Sequence, residues 1–354
     1  MSIMLKSVAV VLLAGTATVM AGHVLTPGYS PVSANQFVAP LTGLIGTIGM
    51  GASAPSSATA GPVDRTFAAK RVHLDKVVGQ VELVPTQPGA ARVQAWGKPE
   101  TMKELQVKLV GDELYVRLDK HEEEAWFPWN LFNMWAAERK PADLRLRISA
   151  PVGTPYEIEE MSGTITAGDL DARVSIDGHA LSGKIGRTQS AEIGIAGAGR
   201  LVLGPVAEQL NVEIAGSGHV EAPSATAANV EIAGGGEVVL GTLSKGLSVE
   251  IAGSGDVHAV AMNGPLDVEI AGSGDVLVDQ GTATSFEVEI AGSGDVVFKG
   301  HAVNPRVEIM GSGSVTVGSY SGNLDEDIAG SGDFNVLNKA SSQVQPTPPA
   351  PPAQ

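Results

Sequence analysis

Val249-Glu250-Ile251-Ala252-Gly253-Ser254-Gly255-Asp256-Val257 is the stretch that decides the fold. Val249 and Ile251 alternate with Glu250, the period-two pattern of a strand with one buried face. Gly253-Ser254-Gly255 breaks that strand, because glycine permits a corner that other residues resist. Asp256 follows, and Val257 begins a second short apolar strand. A turn at Asn263-Gly264-Pro265 then leads into another copy of the same phrase.

The leading isoleucine recurs as Ile195, Ile214, Ile232, Ile251, Ile270, Ile290, Ile309 and Ile328, at intervals of 18 to 20 residues. That period is too short for a pair of helices, which needs about 33 residues or more. It suits one turn of a parallel β-solenoid, whose rungs bury their apolar faces only by stacking. The expected fold is therefore all-β: a single-domain parallel β-helix of about 19 residues per rung. At the inter-strand spacing of about 4.8 Å, eight copies span roughly 35 Å. Two weaker rungs are expected before them. Ile176 stands 19 residues ahead of Ile195, and Ile158 stands 18 ahead of Ile176, so ten rungs would run from about 155 to 337.

Stacking turns repeated positions into columns. Ile195 to Ile328 form one inward column, and Val212, Val230, Val249, Val268, Val288 and Val307 form another. Between them faces outward an acidic column: Glu213, Glu231, Glu250, Glu269, Glu289, Glu308 and Asp327. Past the corner runs a second polar column of His219, Glu237, Asp256, Asp275, Asp295, Ser314 and Asp333. Like charges about 5 Å apart in water repel by roughly 0.8 kcal/mol per pair before screening. Two readings stay open. The columns are solvated faces that keep a sticky repeat soluble, or they are a surface for divalent cations or cationic ligands. Calcium is the one cofactor worth naming, although the nine-residue calcium repeat differs in period and in the place of its aspartate. Histidines 179, 219, 258 and 301 show no ligand spacing and read as exposed bystanders.

Val63 to Pro151 also reads as strands, without the fixed period: 81–84, 92–96, 105–110, 114–118 and 144–148, with a hairpin turn at Gly111-Asp112. This β-rich segment is expected to cap the open first rung. Within it Trp126, Phe127, Trp129, Phe132 and Trp135 fall in ten residues. They read as a loop or short helix packed over the apolar end, or as an exposed aromatic patch for a protein partner, a sugar or a membrane interface.

The ends concern export. Lys6, the apolar run from Val8 to Ala14, and Val19-Met20-Ala21 read as a secretory signal peptide. No cysteine follows, which excludes a lipoprotein anchor and any disulfide. From Ser7 to Val63 there is no Asp, Glu, Lys or Arg. The expected division is a signal peptide at 1–21, a flexible segment at 22–62, the β-helix at 63–337 (cap 63–154, rungs 155–337) and a proline-rich tail at 338–354. No room for a translocator barrel is expected after that tail. A net charge of −16 argues against nucleic acid and anionic membranes as partners. The expected location is the periplasm, the outer-membrane surface or the exterior.

The export signal, the Val110-Gly111-Asp112-Glu113-Leu114-Tyr115-Val116 hairpin, the strand 144–148 running into Ala150-Pro151 and the serial Gly-Ser-Gly-Asp-Val corners together resemble the head GIN domain family of auto-transporter adhesins, over about 65 to 337. The resemblance implies an exported β-helix and offers no catalytic residues. A non-enzymatic binding or structural module is therefore expected, a monomer or one that self-associates end to end, with an envelope protein or glycan as partner. A polysaccharide-active enzyme is the alternative. Its chemistry would need clustered carboxylates in a groove, whereas acidic residues here are spread evenly and Arg200, Lys245, Lys299 and Arg306 share no repeat position.

Overall fold

The computed structural model describes residues 63–118 and 143–338. The signal peptide expected at 1–21, the segment to 62, the tryptophan cluster at 126–135 and the tail from 339 lie outside those residues.

The parallel β-solenoid is present, with about 10 turns of ~19 residues. The repeated phrase stacks in register. Val212, Val230, Val249, Val268, Val288 and Val307 lie opposite one another on successive rungs, as do the isoleucines from Ile195 to Ile328. Both columns are buried up to Val307 and Ile309. The second strand of each rung adds an inward column from Val220 to Val315 and another that includes Leu240, Val278, Phe298 and Val317. Phe286 and Phe298 are the largest fully buried side chains of the core, with ring centroids 5.8 Å apart. Each such side chain contributes about 1.5–3 kcal/mol by leaving water.

The corner explains the glycines. Gly272 has φ +142°, and a Cβ there would lie 2.1 Å from the carbonyl oxygen of Gly253 on the preceding rung. Gly274 has no room either: its Cβ would meet the Gly255 carbonyl at 2.3 Å and Ile251 Cγ2 at 2.8 Å. Close approach lets the corners themselves pair, as when Ser273 N–H donates to Gly253 O at 2.8 Å.

One expected alignment is corrected. Ile176 lies opposite Ile193, and it is Gly178 that lies opposite Ile195. The rung is two residues shorter on this side than the interval of 19 implied. A two-residue shift keeps the same face inward, so the alternation alone could not detect it. The buried Leu181 side chain occupies the space beside Gly178, its Cβ 3.0 Å and its Cδ2 3.2 Å from where a Cβ would stand.

The segment before the repeats is more regular than its sequence. It comprises β1 (Val63–Phe67), β2 (Arg71–Asp75), β3 (Val78–Thr86), β4 (Ala91–Trp96), α1 (Pro99–Glu104), β5 (Leu105–Val110), β6 (Glu113–Leu118) and β7 (Leu144–Pro151). The first sequential rungs are β8 (Tyr156–Ala167) and β9 (Arg173–Ile185). Strands β2 and β3 stack parallel on β8, and β6 and β7 stack parallel on β2 and β3 in turn. Two further rungs therefore exist, with the later residues outside the earlier ones. Antiparallel strands then end the parallel run: β5 pairs with β6, β4 with β7, and β1 with β4. The hairpin at Gly111-Asp112 joins β5 to β6 as expected.

Candidate binding face

The outward side of the first strand in each rung carries the glutamates. Glu213, Glu231, Glu250, Glu269, Glu289, Glu308 and Asp327 lie opposite one another without a break. None is buried. The carboxyl of Glu213 is raised above its ordinary value, chiefly by partial burial and then by Glu231, Asp177 and Glu192. Glu289 is raised by partial burial, then by Glu308, Glu269 and Glu287, with Arg306 opposing. The parallel column two residues earlier mixes its chemistry: Asn211, Asn229, Ser248, Asp267, Glu287 and Arg306. Arg306 pairs with Glu287 at 3.6 Å, and Asn229 Nδ2 donates to Glu231 at 3.3 Å.

The acidic column extends beyond the stretch legible in the repeats. Asp177 continues it on β9, but Gly194 interrupts it, lying between Asp177 and Glu213. A cleft of about 160 Å³ opens at that point, lined in part by Glu160, Asp177, His179 and Glu213. The Asp177 carboxyl leans over Gly194, within 2.1 Å of where a Cβ would stand. Burial raises its pKa, and Glu192, Glu159 and Glu157 raise it further.

The second polar column has a different job. Asp256 Oδ1 accepts the backbone N–H of Asp275 at 3.3 Å. Asp275 Oδ1 accepts that of Asp295 at 3.0 Å, and Asp295 Oδ1 that of Ser314 at 2.9 Å. Each aspartate thus satisfies the first N–H after the next rung's corner. Burial raises Asp256 and Asp275, and the hydrogen bond each accepts opposes the rise. Glu250 and Asp256 stand on different strands either side of the Gly-Ser-Gly corner, in the two separate columns that the repeat predicts.

His219, His258 and His301 have partners, whereas His179 is exposed as expected. The His219 ring lies 2.7 Å from Glu237 at Nδ1 and 2.7 Å from Glu221 at Nε2. His258 Nε2 lies 2.8 Å from Asp279, which Lys299 also contacts at 2.8 Å. Burial pushes Asp279 up, but the hydrogen bonds from Lys299 and His258 prevail and leave it below its ordinary value. His301 bridges Ser319 and Ser321. These contacts cross between rungs, at sequence separations of 18 to 21 in most cases, so no local motif marked them. Among the described residues, the group whose spacing suits a metal is His73, Glu113 and Glu157, on three different strands.

No curated protein matches the chain. Solved structures that match the chain include a putative adhesin from Bacteroides fragilis NCTC 9343 (16% identity, 78% of this chain and 97% of that one, TM-score 0.33). Two others come from Parabacteroides distasonis ATCC 8503. One is a putative adhesin (13%, 78% and 96%, TM-score 0.39) and the other a putative lipid binding protein (14%, 78% and 97%, TM-score 0.34). Among the described residues no helix is long and apolar enough to cross a membrane. The family described as "Putative auto-transporter adhesin, head GIN domain" matches residues 76–279 and 259–345, most of the chain, and the protein belongs to that family.

Proposed function

We propose that the protein is an exported, non-catalytic binding module of the cell envelope or surface, and that its glutamate column is the contact face. The observation that carries this reading is the contrast between the two acidic columns. The aspartates after the corner accept backbone N–H groups, so the fold itself accounts for them. For most of the glutamate column the structure offers no such account. Its neighbours repel by up to about 0.9 kcal/mol each at rung spacing in water. A regular face of this kind suits many weak contacts whose strength comes from their number. The partner that fits is an envelope protein or glycan with cationic or hydroxyl groups repeated along its length. Family membership supports the exported location.

The test compares full-length protein with the Glu250→Gln, Glu269→Gln, Glu289→Gln variant for binding to isolated envelopes over a range of salt. The reading expects wild-type binding that weakens as salt rises, and a loss of about tenfold or more in the variant. Equal binding by a variant that aggregates more readily would instead assign the column to solubility. Polysaccharide turnover abolished by one point mutation would overturn the non-catalytic reading. Calcium enters as an arm of the same work. Melts in calcium, in magnesium and in chelator at matched ionic strength show whether the glutamates take a cation.

A further inference from the structure

Residues about 40 positions apart meet on the outer surface of the N-terminal rungs. Because β2 lies between β6 and β8, His73 stands opposite Tyr115 on one side and Glu157 on the other. The imidazole is held in place: its side chain is only 14% exposed, and its ring lies against that of Tyr115 with centroids 5.0 Å apart. Nδ1 faces Glu157 Oε2 at 3.5 Å, and Nε2 faces Glu159 Oε2 at 3.7 Å. Glu113 closes a third side. One ligand atom from each of His73, Glu113 and Glu157 lies within 4.8 Å of the other two. The Tyr115 hydroxyl donates to Glu113 Oε2 at 2.8 Å and orients that carboxylate.

The distances separate a metal shell from a hydrogen-bonded pair. An N–H···O bond closes to about 2.7–3.2 Å. Two ligands bound tetrahedrally to zinc at about 2.0–2.1 Å stand roughly 3.3–3.4 Å apart. The Nδ1–Glu157 spacing of 3.5 Å is near the second value. We propose that His73, Glu113 and Glu157 form a binding site for a divalent transition metal of the zinc type. His73 would bind through Nδ1, with the fourth position left to water. Glu159 Oε2, 3.7 Å from Nε2, would move in on metal binding to accept from Nε2–H, as the outer carboxylate that commonly fixes a ligating imidazole. The imidazole selects against calcium and magnesium, which prefer oxygen ligands alone. A bound ion would clamp β6, β2 and β8, the strands whose stacking order departs from chain order. The site is independent of the glutamate column and of the binding role proposed for it.

The test uses the full chain without a polyhistidine tag, and zinc alone as the probe in titration calorimetry and thermal melts. One tight site per chain is expected, with a higher melting temperature in zinc. His73→Gln should abolish the site, and Glu159→Gln should weaken it by about 10–100-fold. Both variants should melt like wild type in chelator, which shows that they fold. Excess calcium should not displace zinc. Absence of a stoichiometric site in the wild type, or zinc binding that survives His73→Gln unchanged, would overturn the assignment. Weak binding at many sites that calcium competes away would equally overturn it and point to the glutamates.

Discussion

Neutralising the middle of the glutamate column should stabilise the protein, and the gain should depend on salt. Replacing Glu250, Glu269 and Glu289 with Gln removes the charges of three consecutive rungs. It abolishes four adjacent repulsions: Glu231 with Glu250, Glu250 with Glu269, Glu269 with Glu289, and Glu289 with Glu308. At about 4.8 Å in water each is worth at most ~0.9 kcal/mol, so the ceiling is about 3–4 kcal/mol at very low salt. With a Debye length of about 8 Å at 0.15 M the gain falls to roughly 2 kcal/mol, and at 1 M, where that length is about 3 Å, to roughly 0.7 kcal/mol. Splaying of the exposed side chains and repulsion in the unfolded chain lower these values further. For a domain of this size ~1 kcal/mol moves the melting temperature by about 2–4 °C, so a rise of about 5 °C is expected at low salt. Stacked glutamines can also bond to one another, which adds a gain that salt does not touch. The decisive quantity is therefore the difference between melts in 10 mM and 1 M sodium chloride, estimates set by the screening length. No gain at low salt, or the same gain at both, would refute the electrostatic account.

Two corner substitutions should behave oppositely in denaturant melts. Gly272→Ala forces a side chain into φ +142° and against the Gly253 carbonyl, and should cost at least about 3 kcal/mol, whereas a Cβ at Gly235 meets Ser254 Oγ at an ordinary 3.6 Å, so Gly235→Ser should stay within about 0.5 kcal/mol. Mild acid should stabilise the fold, because Asp177, Glu213, Asp256, Asp267, Asp275 and Glu289 are all raised, by burial first in each case. Between the ordinary and the raised values the native state holds more protons than the unfolded one, so this stability is complete below the ordinary values of 3.8 and 4.5 and is lost as pH rises through the raised ones. Asp279, which is lowered, works in the opposite sense. Melting temperatures that fall steadily from pH 7 to about pH 5 would refute the prediction. Glu326→Val should promote self-association, read by sedimentation at increasing concentration, and an unchanged monomer fraction would count against the role given to Glu326 below.

The solenoid was legible because one rung states its rule and the chain repeats it. Val249, Glu250 and Ile251 specify faces, Gly253 and Gly255 specify a corner, and identical neighbours settle the register. The register of Ile176 was misread because period-two alternation is blind to a shift of two. The stacking of β6 and β7 outside β2 and β3 was not legible at all. Those strands carry the right alternation, but no repeated phrase says which strand lies beside which. The same gap hid His73, whose neighbours Glu113 and Glu157 come from strands that are adjacent only in space. The two acidic columns looked alike in sequence because both recur once per rung. Only the hydrogen bonds from one rung's aspartate to the next rung's N–H distinguish them.

The two ends of the solenoid meet one hazard by different means. A rung with open edges invites another strand to pair with it, and nearly identical rungs make a second copy of this chain a ready match. At the N-terminal end β4 and β5 run antiparallel to the outermost rung, so the stacking pattern of the repeat cannot continue there. At the other end the phrase persists through Ile328-Ala329-Gly330-Ser331-Gly332-Asp333, and the corner is kept. The change falls on the inward valine column: Val307 is followed not by another valine but by Glu326, which is exposed. A further rung added in register would cover that carboxylate with apolar residues and strip its water, a penalty of several kcal/mol unless a cation came with it. Asp325, Asp327 and Asp333 add like charge around the same edge. Growth along the axis is thus opposed by geometry at one end and by charge at the other. Repeated contact along the long sides, where the glutamate column runs unbroken from Glu213 to Asp327, is what the proposed binding role requires.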